Sequence, residues 1–460
     1  MLFNSQVFLL AFLPLALALF YLASANERIR VWLLIAASLV FYGYWEARLL
    51  PLLAGSVCAN WLLAVAFAKS GRKWIVPAAI VLNLLLIGIF KYANFFADSL
   101  FFLLGQQRTD WNIILPLGIS FFTFQQLSYL ADLRRGDAPV YPFHEYALFV
   151  TFFPQLIAGP IVRHNEIIGQ FALDPLRAGL GERFSRGAVL FVVGLFKKVV
   201  IADNLAATAS PIFAAASNGD ALAIDQAWLG ALAYTFQLFF DFAGYSDMAI
   251  GLGLMFGFRL PINFDAPYTA TSIREFWRRW HITLSRFLRD YLYIPQGGGR
   301  QSTVGQARAL IVTMLLGGLW HGAGWTFVTW GGMHGAALAV NHAWQRVGRP
   351  LPVPLAWLLT FLFVVLGWVL FRAEDFGAAR TMIAAMMGAA GGSLHGYGLS
   401  DLQYLLAAAA MAFFGPSSYR LVVEQLQPRR LLAAAAGLAF AFMVIHIGDD
   451  GYTEFIYFQF

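Results

Sequence analysis

Long apolar stretches alternate with short polar turns from one end of the chain to the other. They have neither the period-two alternation of half-buried strands nor the narrow apolar stripe of soluble helices. Twelve stretches stand out, at roughly residues 5–24, 31–48, 50–68, 74–100, 113–131, 188–203, 226–256, 309–321, 325–343, 354–371, 402–415 and 430–447. A helix needs about 20 apolar residues to cross a bilayer, so most of these are candidate spans and 309–321 is too short to cross alone. The segment 146–162 carries Pro154, Gly159 and Pro160 inside an apolar run. That pattern predicts a broken, re-entrant piece buried in protein.

Composition closes off other classes. Of 460 residues, 60% are hydrophobic and 12% charged, against about 25% charged in soluble domains. The chain therefore reads as one multi-pass membrane domain over residues 1–460, in contact with a lipid bilayer. The net charge of +6 sits in the loops between spans, which points to membrane topology and not to nucleic acid. The basic connections are Glu27–Arg30, Lys69–Lys73, Arg134–Arg135 and Arg274–Arg308. The 204–225 loop lacks Lys and Arg, and the 449–454 tail is acidic. This places the basic block in the cytoplasm and both termini outside. Lys197 and Lys198 disturb the scheme by falling inside a candidate span; they either snorkel or face a wet cavity. The N-terminus has no Lys or Arg before its apolar run and no small-residue cleavage site, so it reads as a retained span. Cys58 is the only cysteine, leaving no internal disulfide and no Cys-rich zinc site.

Against this background the polar residues inside apolar runs are the candidate chemistry. From Ala309 to Gln345 there is no Asp, Glu, Lys or Arg, yet His321 lies in that stretch, followed by His334 and His342. An ionisable side chain at bilayer depth is costly and marks a functional hypothesis. Imidazole can also exchange a proton near neutrality. A buried histidine that only bridges helices is the competing reading, and it is the favoured one for His334 and His342. Glycine is dense around His321, from Gly317 to Gly335. It fits either close helix packing or a broken helix that lets substrate pass the imidazole, with Trp320, Trp325 and Trp330 as lining. The short 309–321 stretch favours the break.

The block 271–291 is amphipathic if it is one helix. Arg274, Arg278, His281, Ser285 and Arg289 fall on one side, with Arg279 beside them, and Phe276, Trp280, Leu284, Phe287 and Tyr291 fall on the other. It is an interfacial helix or a basic wall at a cytoplasmic mouth that suits phosphates. A third set, Tyr234, Gln237, Asp241 and Tyr245, recurs at helical spacing. A carboxylate at that depth should be paired, and an Arg or His of the basic block is the expected partner. Gly297–Arg300 is a weak phosphate signal. No metal is expected, since the histidines lack a tight pair with a carboxylate.

These passages resemble the membrane-bound O-acyltransferase (MBOAT) family, in particular its bacterial branch that includes the membrane subunit of alginate O-acetylation. The likeness is carried by Phe152-Phe-Pro-Gln-Leu-Ile-Ala-Gly-Pro160-Ile, Phe240-Asp-Phe-Ala-Gly-Tyr-Ser-Asp247, Asn263-Phe-Asp-Ala-Pro-Tyr268 and Phe276-Trp-Arg-Arg-Trp-His281-Ile-Thr-Leu-Ser285. It continues through Tyr291-Leu-Tyr-Ile-Pro295, Gly318-Leu-Trp-His321-Gly and the closing Phe455–Phe460. The resemblance implies an all-α integral membrane fold, an MBOAT-like ring of about 11–12 transmembrane helices with re-entrant segments. It makes His321 the catalytic histidine and His281 the second polar member of the site. Asp241, Gln237, Arg274, Arg278, Arg279, Ser285 and Trp320 are the supporting candidates.

The expected activity is acyl transfer in a bacterial inner membrane, with no permanently bound cofactor. Acetyl-CoA or another acyl thioester is the donor, and an exported alginate-like, cellulose or peptidoglycan polymer is the final acceptor. The expected partners are a periplasmic or extracellular acyltransferase and the exopolysaccharide synthesis machinery. The competing readings are a transporter of an activated sugar or lipid, which should show an internal repeat that is not visible here, and an acyltransferase acting on lipid or protein.

Overall fold

The computed structural model describes every residue except 107–108, 110, 301, 390–397, 428, 451–454 and 457–460. The closing Tyr457–Phe460 and the 451–454 part of the acidic tail thus lie outside the described residues. Regular structure is helical throughout, with no strand among the described residues. Each of the twelve apolar stretches overlaps helix, although 113–131 turns helical only at Ile119, and the segment 204–225, read as a loop, carries the helix Asp203–Ser217 instead. Among the described residues, five helices are long and apolar enough to cross a membrane: Ala47–Ser70, Ile75–Leu103, Thr303–His321, Val353–Arg372 and Arg430–Ile447, with shorter apolar helices at Phe8–Leu22 and Asp401–Phe414.

One expectation about length is corrected. The stretch 309–321 is only the C-terminal part of the 19-residue helix Thr303–His321. The Ser302 hydroxyl caps that helix by accepting from the Gly305 N–H, so it starts ahead of the uncharged run and takes in Arg308. An N-cap, and not the loss of charge, sets where a helix begins.

By contacts the chain forms two compact units. One comprises Met1–Val192, Ser246–Pro261 and Leu426–Tyr452; the other comprises Val193–Tyr245, Ile262–Gln425 and Thr453–Phe460. Neither is a single stretch of sequence.

In the first unit the buried polar groups hold helices together. Asn60 and Asn83, on Leu50–Ser70 and Ile75–Ile87, exchange amide hydrogen bonds of 3.2 and 2.6 Å, the kind of bond that joins helices where water is absent. Buried Arg30 donates to the carbonyl oxygens of Ser24, Phe171 and Leu173. The 146–162 segment is broken as its prolines predict, into Phe143–Thr151 and Phe153–Leu156. Side chains satisfy the interrupted backbone, as buried irregular chain requires: Ser38 Oγ accepts from the Phe153 N–H at 3.0 Å, and Gln155 Nε2 donates to the Phe149 carbonyl at 2.6 Å.

In the second unit the helix Thr303–His321 packs against Trp325–Val347, and glycines set their closeness. A β-carbon on Gly318 would collide with the Phe327 carbonyl oxygen, and one on Gly331 with that of Met314. The dense glycines therefore serve close packing, and the chain also breaks where the lining argument needed it: Gly322 ends the first helix in extended conformation. The core beside this hairpin is aromatic, with Trp280, Trp330, Trp368 and Phe361 buried.

Candidate functional site

His321 is the last residue of its helix and is 4% exposed. Its ring is walled by Trp320, Trp330 and Phe371, at centroid distances of 4.8, 5.2 and 5.3 Å. Trp325, expected to join this lining, is 54% exposed and lies on the surface of the unit. His281 stands 6.5 Å from His321, ring to ring, and 6.1 Å from Trp320. The two candidate histidines, 40 positions apart in sequence, are brought together as expected.

The way His281 gets there corrects the reading of 271–291 as one helix. Ile273–Arg279 and Ile282–Leu288 are separate helices, and His281 between them is left-handed, with φ 41°. Few residues other than glycine take that conformation, at a cost of about 1–3 kcal/mol unless the surroundings enforce it. Here they do. The Ile282 N–H donates to the Asn263 carbonyl at 2.9 Å, and the Asp265 N–H donates to that of Arg279 at 3.0 Å. The Asn263 side-chain oxygen accepts from Thr283 N–H, Thr283 Oγ1 and His281 Nδ1, the last at 3.1 Å. An amide oxygen only accepts, so His281 carries its proton on Nδ1 and the neutral ring presents a lone pair at Nε2. The break turns His281 off the basic face and buries it completely. Asn263 was quoted in the sequence only as part of a family-like passage; its one signal was a lone amide just ahead of an aromatic turn.

The remaining members of the block divide by environment. Arg274 and Arg278 are exposed, and Arg274 donates to Gln345 Oε1 at 2.9 Å. Arg279 is engaged, pairing with Glu275 at 2.5 Å and donating to Thr269 Oγ1 at 2.7 Å. Partial burial pushes the Glu275 carboxyl up, but hydrogen bonds from Thr271 and the charge of Arg279 outweigh this and hold it below its ordinary value. Arg289 pairs with the adjacent Asp290, whose hydrogen bonds raise the guanidinium further. Ser285 Oγ donates to the Trp280 carbonyl, bracing the break. Arg274 and Arg278 are thus the arginines of the expected set that stand open to solvent-side anions.

Asp241 is 3% exposed and paired, but not with the basic block. Its partner is Lys198, at 2.6 Å, which also meets Asp203 at 2.8 Å. The second Asp241 oxygen accepts from the Ile456 N–H at 3.0 Å, and Lys198 lies 4.8 Å over the Phe455 ring. Close approach of the two helix backbones explains the pairing: a β-carbon on Gly244 would meet the Gly194 carbonyl oxygen at 2.7 Å and the Lys198 backbone nitrogen at 3.2 Å. Lys198 is therefore neither snorkelling nor set in a cavity; it is the counter-ion of Asp241. Lys197 donates to Ser418. Gln237 is half-buried in the same helix, and the Trp320 ring meets both histidine rings at steep angles, 72° to His321 and 59° to His281.

A buried imidazole pair in an aromatic wall has the chemistry to take a proton from, or give one to, a reacting group. Residues 119–373 match the model of the MBOAT, membrane-bound O-acyltransferase family. The chain is 46% identical to the "Probable alginate O-acetylase AlgI" of Pseudomonas aeruginosa, over 90% of this chain and 81% of that one. It is 41% identical to the protein of the same description from Azotobacter vinelandii, over the whole of both, and 43% identical to the "Peptidoglycan O-acetyltransferase" of Helicobacter pylori, over 86% and 81%. The chain belongs to the membrane-bound O-acyltransferase family. It is a multi-pass membrane O-acyltransferase.

Proposed function

We propose that this chain moves an acetyl or related acyl group from a cytoplasmic thioester, acetyl-CoA or another acyl thioester, across the bacterial inner membrane for O-acylation of an exported cell-surface polysaccharide. The observation that carries this is the His281–His321 pair, buried in one aromatic wall and fixed by Asn263. The relatives' names supply the acceptor class: alginate and peptidoglycan, both extracellular polymers. Exposed Arg274 and Arg278 suit the phosphates of a nucleotide thioester.

In the proposed step His321 takes the proton of an acceptor hydroxyl. The oxygen attacks the thioester carbonyl, the carbon–sulfur bond breaks, and the departing thiolate receives the proton. The lone pair that neutral His281 presents at Nε2 suits it to accept a hydrogen bond, orienting the hydroxyl or the His321 ring, and not to steady negative charge on oxygen. A periplasmic or extracellular transferase beside the polymer synthesis machinery then completes the transfer to the glycan. The test is His321→Ala in cells that make the acylated polymer. Loss of polymer acylation with the chain still inserted supports the assignment, and unchanged acylation ends it.

A further inference from the structure

His334 takes no part in the step above, and the sequence favoured a packing role for it. The hydrogen bonding says otherwise. Trp277 Nε1 lies 3.2 Å from His334 Nδ1. An indole nitrogen can only donate, so Nδ1 accepts and the ring proton must be on Nε2. This is the tautomer opposite to that of His281. The His334 Nε2–H is fully buried and has no acceptor among the described residues; the same holds for the Nε1–H of Trp330, also fully buried. The two face one spot. A β-carbon built on Gly367 would stand 3.1 Å from His334 Nε2 and 3.4 Å from Trp330 Nε1. Buried donors left without acceptors are costly and rare, so two that converge at a glycine imply an absent acceptor.

The rest of the surroundings select its chemistry. His334 packs on Phe276, Phe363 and Trp277, and the Met333 methyl completes the approach to Gly367. A water or hydroxyl would bring hydrogens that find no acceptor among these groups. A carbonyl oxygen has none to place. The Trp330 ring that carries one donor meets His321 edge-on at 5.2 Å, centroid to centroid, so the spot is one indole away from the proposed base.

We propose that His334 Nε2–H and Trp330 Nε1–H, beside Gly367, form a two-donor site for the acyl carbonyl oxygen of the thioester. This rests on the acyl-transfer reading and assigns the electrophilic role that His281, with its proton committed to Asn263, does not fill in the neutral state. Donors aimed at such an oxygen serve most when charge develops on it.

The test uses the full chain in lipid nanodiscs with acetyl-CoA labelled with ¹³C at the acyl carbonyl. In the His321→Ala chain, which holds the donor without turning it over, isotope-edited infrared spectra should show the bound carbonyl shifted to lower frequency. His334→Phe and Trp330→Phe should each lose most of that shift, and His334→Gln, which keeps an N–H, should regain part of it. With His321 intact, His334→Phe should lower kcat about 10²-fold with KM changed less than threefold, while His334→Gln recovers at least a third of the loss on a logarithmic scale. Gly367→Ala, whose methyl would press on both donor nitrogens, should act in the same direction. A full carbonyl shift or unchanged kcat in both His334→Phe and Trp330→Phe overturns the site while leaving acyl transfer standing. A parent chain that binds no acyl thioester overturns both readings, and that result is visible before any His334 variant is made.

Discussion

Two buried histidines with similar exposure differ in their hydrogen bonds. In the first unit His164 has both ring nitrogens engaged, one with Tyr141 OH at 3.0 Å and the other with Asp132 at 3.3 Å. In the second unit His334 has one nitrogen fixed by Trp277 and the other without an acceptor among the described residues. The first ring is closed and ties Ile119–Arg135 to the chain around His164. The second is half-fixed, which sets its tautomer and leaves its proton on offer. Burial is alike in the two; what differs is the state of the second nitrogen.

The comparison is sharpened first at the site. His321→Ala should bring acyl transfer below detection while expression and insertion stay normal, measured as acylated polymer per unit of inserted protein. Next comes the residue that poses His281. Asn263→Ala frees the Nδ1 proton and the left-handed turn, and should cost about 10–100-fold in activity, the usual effect of losing an orienting partner. Asn263→Asp keeps an acceptor oxygen in place and should cost much less. Equal losses in the two variants would mean that Asn263 acts through something other than acceptance.

Removing one member of the Lys198–Asp241 pair tests the structural pole. Asp241→Ala takes the shorter of its two ion pairs from a buried ammonium and should destabilise the chain by about 3–5 kcal/mol, read as a loss of thermal stability in detergent. The double variant Lys198→Met with Asp241→Leu, which leaves no charge stranded at this pair, should recover most of it. His164→Ala should destabilise by about 1–3 kcal/mol, because the Tyr141 hydroxyl and the Asp132 carboxylate lose a partner, yet leave transfer per folded molecule unchanged. A fall in that specific activity comparable to the Asn263→Ala loss would erase the distinction between closed and half-fixed imidazoles.

Much of this was legible in the sequence, and the rest was not for physical reasons. Apolar stretches located most of the long helices, because the bilayer imposes length and composition together, but not Asp203–Ser217, which falls in the segment read as a loop. His321 and His281 were both recognisable from their motifs. The partner of Asp241 was not: the Gly194–Gly244 approach that delivers Lys198 is a tertiary fact with no periodicity to reveal it. The break at His281 was hidden for a similar reason, since its helical pattern continues on both sides and only the bonds from Asn263 override it. The tautomer of His334 was not legible either, because a neighbour decides it, and Trp277 lies 57 residues away.

The smallest effect expected separates surface charge from buried charge in the basic block. Glu275 is partly exposed, and its carboxyl is held below the ordinary value because the Thr271 hydrogen bonds and Arg279 outweigh burial. For an acid whose folded value is depressed, the unfolded chain binds more protons between the two values, so stability rises with pH across that window. The contribution is full above the ordinary carboxylate value and is lost as pH falls through the lower, folded one. Glu275→Gln should therefore cost no more than about 1 kcal/mol at neutral pH and nothing once the carboxyl is protonated. Thermal melts of both chains from neutral pH down to the acid limit of the detergent micelle would show the curves converging. Curves that stay parallel would mean that Glu275 contributes through the geometry of its bonds to Thr271, which Gln keeps only in part, and not through its charge.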